Sequence, residues 1–168
     1  MKRIEGLLKK YGERYDFDWL LLAALAYQES ELDQNRKNPS GALGIMQILP
    51  ETAAAPPIGI KEIEKLENNI HAGVKYLDHL RGYYFDDPAI PPQARVDFAL
   101  AAYNAGPNRI ERYRREALEE GYDSNRWFYN VEAVAAEDVG AETVRYVANV
   151  NKYYVAYRIF HEQRGGDG

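Results

Sequence analysis

Glu29 closes the most apolar stretch of a 168-residue chain. The run Leu20 to Tyr27 (LLLAALAY) gives way at once to Gln28, Glu29, Ser30 and Glu31. An apolar helix end disfavours an ionised carboxylate, so the pKa of such a group is expected to rise. A raised pKa keeps a proton in hand for a leaving oxygen near neutral pH. Two further segments join polar groups to glycine turns or small residues. The first is Gly41-Ala42-Leu43-Gly44-Ile45-Met46-Gln47, whose glycines permit tight backbone approach and whose Gln47 offers both a donor and an acceptor. The second is Ala101-Ala102-Tyr103-Asn104-Ala105-Gly106, where Tyr and Asn stand beside residues small enough to let a ligand come close. Each segment taken singly also has a plain structural reading. Glu29 can be a helix-end residue, Gln47 a cap, and Asn104 with Gly106 a helix stop.

Other chemistries find little support. No glycine-rich phosphate loop of either common pattern is present. His71 and His79 lie eight residues apart, whereas a helical zinc pair needs a spacing of four. No metal and no cofactor is therefore expected. Asp86-Asp87 reads as a solvated loop end, and Glu111 to Glu120 as a mixed-charge helix face. The absence of cysteine removes disulfides, thiol nucleophiles and thiolate metal sites. A net charge of −5 argues against general nucleic-acid binding, which needs a basic face. Fourteen tyrosines fit an aromatic core, or a stacking wall for a ring-shaped ligand.

The elements that must position these groups are helices. Ile4, Leu7, Leu8 and Tyr11 share one helical face. Asp18 is placed to cap a helix from Trp19 to about Glu31, apolar nearly all round and hence central. Asn35, Asn38, Pro39, Ser40 and Gly41 mark a loop. Pro50 opens a short helix that Pro56-Pro57 stops. A longer helix carries Ile70, Val74, Leu77 and Leu80. Pro91-Pro92 precede a helix over 93–103, which Asn104 and Gly106 end, and Pro107 starts the next. A helix is also expected over Trp127 to Val134. The last runs through Tyr146, Val150, Tyr153, Tyr157 and Phe160. The chain reads as mainly α and as one domain over 1–168, with its core at about 19–160 and a frayed tail at 165–168. The start, MKRIEGLLKKYGERYD, lacks a signal-peptide core.

The order and spacing of the three segments carry more than each alone. Glu29-Ser30, then Gly44-Ile45-Met46-Gln47 ending eighteen residues after the Glu, then Ala102-Tyr103-Asn104-Ala105-Gly106, resembles the family 1 lytic transglycosylases of the soluble (SLT) type. Asn69-Ile70…Gly73…Tyr76-Leu77 and Glu142-Thr143…Tyr146-Val147 resemble that family as well. The resemblance implies a lysozyme-like helical domain, close to goose-type lysozyme. It implies that Glu29 is the acid/base of a lyase that cuts the MurNAc-β-1,4-GlcNAc bond of peptidoglycan and leaves 1,6-anhydroMurNAc ends, with help from the substrate's N-acetyl group. Substrate contacts fall on Gln47, Tyr103, Asn104 and Met46, and at the rim on Glu142 and Tyr146. Ser30 and Gly44 would be structural. Many members have Ser nine residues after the Glu; here Asn38 stands there with Ser40 nearby, and either could donate to substrate. The alternatives are a lysozyme-type hydrolase and a non-catalytic glycan-binding or scaffold domain. A second carboxylate, from Asp86, Asp87, Asp97 or Asp138, would favour the hydrolase. The resemblance further implies a monomer acting on glycan strands and muropeptides in the cell envelope or periplasm, associated with a membrane only through segments absent from this chain.

Overall fold

A computed structural model describes residues 1–138 and 140–165. Eight α-helices run through the described residues: α1 (Lys2–Tyr15), α2 (Trp19–Ser30), α3 (Pro50–Ala54), α4 (Leu66–His79), α5 (Pro92–Ala105), α6 (Pro107–Glu119), α7 (Glu132–Glu137) and α8 (Ala141–Gly165). Leu80–Tyr84 continues α4 as a π turn, and extended backbone pairs only as isolated bridges. The expected mainly-α class is what the chain adopts. Gly165 closes α8, and residues 166–168 of the expected tail lie outside the described residues. No described helix is long and apolar enough to cross a membrane.

Contacts divide the chain into two compact units, one of residues 1–76 with 149–168 and the other of residues 77–148. In the first, Asp18 caps α2 by accepting the Leu20 N–H at 2.9 Å. Leu20 to Ala26 are then buried without a break, as an all-round apolar helix requires. Consecutive left-handed residues, Glu31 (φ 56°) and Leu32 (φ 65°), end α2 sharply and fix Glu29 in its last turn. A second apolar cluster, formed by Ile48, Ala53, Ile58, Ile63 and Ala72, lies beneath the loop that follows.

His71 sits in this first unit, stacked on Tyr11 at 4.5 Å with its Nε2 2.7 Å from the Tyr15 hydroxyl. Glu67 draws Lys10 to 2.7 Å and the Tyr11 hydroxyl to 2.9 Å beside it. Burial, then the nearby positive charges of Arg14, Lys75 and Lys10, push His71 down to about 4; only Glu67 opposes them. The unfolded chain therefore binds a proton here that the folded chain refuses. Stability should be flat above pH ~6.5 and fall as pH drops from there toward 4. Partial exposure limits the loss to about 1–2 kcal/mol. Urea midpoints across that range should show the fall in the native chain and a clearly smaller one in His71→Gln; equal slopes would contradict it.

In the second unit, α5 is buried on most of its circumference and α6 turns Ile110, Tyr113 and Ala117 inward. Phe98 stacks on Phe85 at 5.4 Å and meets the edge of Trp127 at 6.5 Å. Pro92 and Pro107 occupy first turns, where a missing N–H costs nothing. The helix expected over Trp127 to Val134 is corrected. Phe128 is extended and Tyr129 left-handed (φ 64°), so regular helix starts only at Glu132. The preceding turn outbids the helix: Asn130 uses its side chain on the Asp123 N–H and the Phe128 carbonyl. Of the fourteen tyrosines, Tyr11, Tyr113 and Tyr146 reach the core, whereas Tyr83 and Tyr129 are largely exposed.

Candidate active site

Within the first unit, Glu29 is half-buried in the last turn of α2, and Ser30 beside it is fully buried. The Ser30 hydroxyl donates to the Ile45 carbonyl at 2.8 Å, lies 3.1 Å from the Ala26 carbonyl, and accepts the Asp33 N–H at 3.2 Å. One small side chain thus ties the end of α2 to the Gly44–Gln47 turn. The turn is closed by its own backbone, with Gln47 N–H on Gly44 O at 3.0 Å and Gly44 N–H on Arg36 O at 2.9 Å.

Two amides hold that turn: Asn69, which opens a segment that resembles the family but had no role assigned to it, and Gln34, which no motif marked. Asn69, wholly buried on α4, accepts the Met46 N–H at 2.9 Å and donates to Leu43 O at 3.0 Å and Ile63 O at 2.9 Å. Gln34 accepts the Ile45 N–H at 2.9 Å and donates to Ile63 O and Glu64 O. Gly44 is required twice over. Its φ is 80°, and a Cβ there would run into the Asn69 amide and approach Gln34 Oε1 to 2.8 Å. Met46 is fully buried, and a Cβ on Gly73 would meet its Cβ at 2.6 Å. Gln47 is half-buried in left-handed backbone (φ 46°), its amide nitrogen donating to Gly44 O at 2.8 Å and Arg36 O at 3.0 Å. Asn38 and Ser40 are exposed together on the preceding turn, where Asn38 Oδ1 accepts the Ser40 N–H at 3.0 Å.

The second unit carries the other expected positions. Tyr103 and Asn104 are half-buried at the end of α5, which stops at Gly106 (φ 86°). Asn104 Oδ1 accepts the Thr143 hydroxyl at 2.7 Å, joining this helix end to the first turn of α8. Thr143 is buried, Tyr146 one turn on is 4% exposed, and Glu142 is open to solvent. The structure therefore groups Glu29, Ser30, Asn38, Ser40, Gly44, Met46 and Gln47 in one unit, and Tyr103, Asn104, Glu142 and Tyr146 in the other. Among the described residues, no cluster of three or more acidic or histidine side chains could hold a metal.

The transglycosylase SLT domain family matches residues 6–125, and the chain belongs to that family. Its fold is the lysozyme-like helical fold of that group. Among curated proteins it is 34% identical to membrane-bound lytic murein transglycosylase F of Desulfosudis oleivorans, over 92% of this chain and 36% of that protein. It is 35% identical to the protein of that name from Marinobacter nauticus, over 92% of this chain and 32% of that one. Among solved structures, the 70 kDa soluble lytic transglycosylase of Escherichia coli superposes with a TM-score of 0.69 at 28% identity, covering 93% of this chain and 24% of that one. The chain spans about a third of the length of the curated relatives it matches.

Proposed function

We propose that this chain is a peptidoglycan lytic transglycosylase of the cell envelope, with Glu29 as its one acid/base. The observation that carries the reading is the mounting of Glu29. It stands half-buried on the last turn of an apolar helix, pinned through Ser30 to the Gly44–Gln47 turn, in a chain of the SLT family. The last turn of α2, where the negative end of the helix dipole lies, carries no basic residue of its own.

Glu29 gives its proton to the oxygen between N-acetylmuramic acid and N-acetylglucosamine, and the C1–O bond breaks. The neighbouring acetamido oxygen shares the positive charge left at C1. Glu29, now a carboxylate, takes the proton of the muramic C6 hydroxyl, and O6 closes on C1. Acid and base are one residue, and no water is consumed. Gln47, Tyr103 and Asn104 hold the sugar, with Asn38 and Ser40 as donors at the turn and Glu142 nearer the peptide stems, while Tyr146, 4% exposed, packs within its unit. For Met46 we favour anchoring the turn, since it is wholly buried. A hydrolase needs a second carboxylate to position water. Three of the four candidates have local duties: Asp138 accepts from Arg112 at 2.7 Å and Tyr113 at 2.9 Å, Asp87 accepts the Ala89 N–H at 2.9 Å, and the buried Asp97 accepts from the Gln93 amide at 3.4 Å. These duties support the lyase. Incubation with purified sacculi tests the substrate: soluble muropeptides are expected, and an undigested sacculus would contradict the reading.

A further inference from the structure

Tyr129 is held by its neighbours in a backbone conformation that is costly for a tyrosine. Its backbone is left-handed (φ 64°), a state that a bulky residue adopts at a cost and that Asn or Gly would adopt more easily. Its side chain is 86% exposed, so packing does not repay that cost.

The surrounding loop is built rather than loose. Arg114 donates to Ser124 O and to Asn125 Oδ1, both at 2.9 Å, while its guanidinium lies 5.2 Å from the Phe98 ring. Asp123 closes a turn on the Asn125 N–H and pairs with Arg126 at 3.4 Å. Asn130 Oδ1 receives the Asp123 N–H, and Glu132 Oε1 receives the Tyr129 N–H, each at 3.0 Å. Beneath them Trp127 is 1% exposed, and its indole N–H has no acceptor among the described residues. A buried donor without a partner is unfavourable. The loop thus carries two local penalties and holds one phenol ring out in solvent on a hydrogen-bonded base. Strain kept by an over-determined surround points to use by a ligand.

We infer that Tyr129 is a stacking platform for a pyranose ring of the glycan strand, at a site distinct from the Glu29 turn. A flat aromatic face with a polar tip suits the apolar face and rim hydroxyls of an N-acetylated sugar. The inference rests on the proposed action on peptidoglycan and adds a contact that holds the strand.

Co-sedimentation with purified sacculi tests it, with every protein in the Glu29→Gln background so that no strand is cut. Tyr129→Asn removes the ring and suits the left-handed backbone, so it should unfold no earlier than its parent. It should bind sacculi about three- to tenfold more weakly. Tyr129→Phe should bind as the parent does. Unchanged affinity in Tyr129→Asn would overturn the platform and leave the proposed function standing. A parent protein that does not sediment with sacculi would overturn both. Equal weakening in Tyr129→Phe and Tyr129→Asn would overturn stacking, since the ring remains in one of them.

Discussion

Glu29→Gln is expected to lose turnover on peptidoglycan by about 10²- to 10⁴-fold or more while keeping its fold. Gln has nearly the same shape and stays within the last turn of α2, so Ser30 can still reach the Ile45 carbonyl. What it lacks is a proton to give and, after bond cleavage, a carboxylate to take one back. Because the proposed cycle uses one residue for both steps, no second group can supply either half. Exchanging a half-buried acid for a neutral amide should leave the urea midpoint unchanged or slightly raised. Turnover and the unfolding midpoint, measured on one preparation, separate loss of chemistry from loss of structure. A variant as active as its parent would remove Glu29 from the mechanism. A variant that is inactive and unfolded would say that the residue holds the helix end.

Asn69→Ala carries the largest expected cost in stability. It deletes one buried acceptor and two donated hydrogen bonds, leaving the Met46 N–H and the Leu43 and Ile63 carbonyls to find other partners. Each orphaned buried group costs about 1–3 kcal/mol. Some relaxation of the turn is expected, so the net loss should be about 3–5 kcal/mol, a large part of the ~5–15 kcal/mol that holds a domain together. Asn69→Asp should fare little better. It keeps the acceptor for Met46 but sets a carboxylate oxygen against two carbonyls. Urea unfolding reads both, and a loss below about 1 kcal/mol for Asn69→Ala would show that the turn is held by something else.

Asn69 also marks where reading the sequence stops. Asp18, Pro92, Pro107 and Gly106 announce their helix ends because each acts on backbone within a few residues of itself. The apolar run of α2 needs no partner to be recognised as central. Glu29, Gln47, Tyr103 and Asn104 are legible as a set, by order and spacing against a known family. Asn69 and Gln34 do their work on carbonyls and N–H groups 6 to 30 positions away, and nothing local records those partners. The helix expected at Trp127 failed for a related reason. Its apolar spacing is compatible with a helix, but Asp123 and Asn130 use their side chains on nearby backbone groups, among them the Phe128 carbonyl that a helix would have used itself. Thr143, which reaches back 39 positions to Asn104, gives no sign of that bond in its own neighbourhood.

The mass of the muropeptides released from purified sacculi tests the central claim most directly. If the muramic C6 hydroxyl is the nucleophile, its attack is intramolecular, and correct orientation can supply about 7–11 kcal/mol of the barrier that free water would not gain. Every cut should then leave a 1,6-anhydromuramoyl end, one water lighter than a hydrolysed end. Glu29→Gln should release neither. Predominantly reducing muramic ends from the native chain would contradict the account and make the protein a hydrolase.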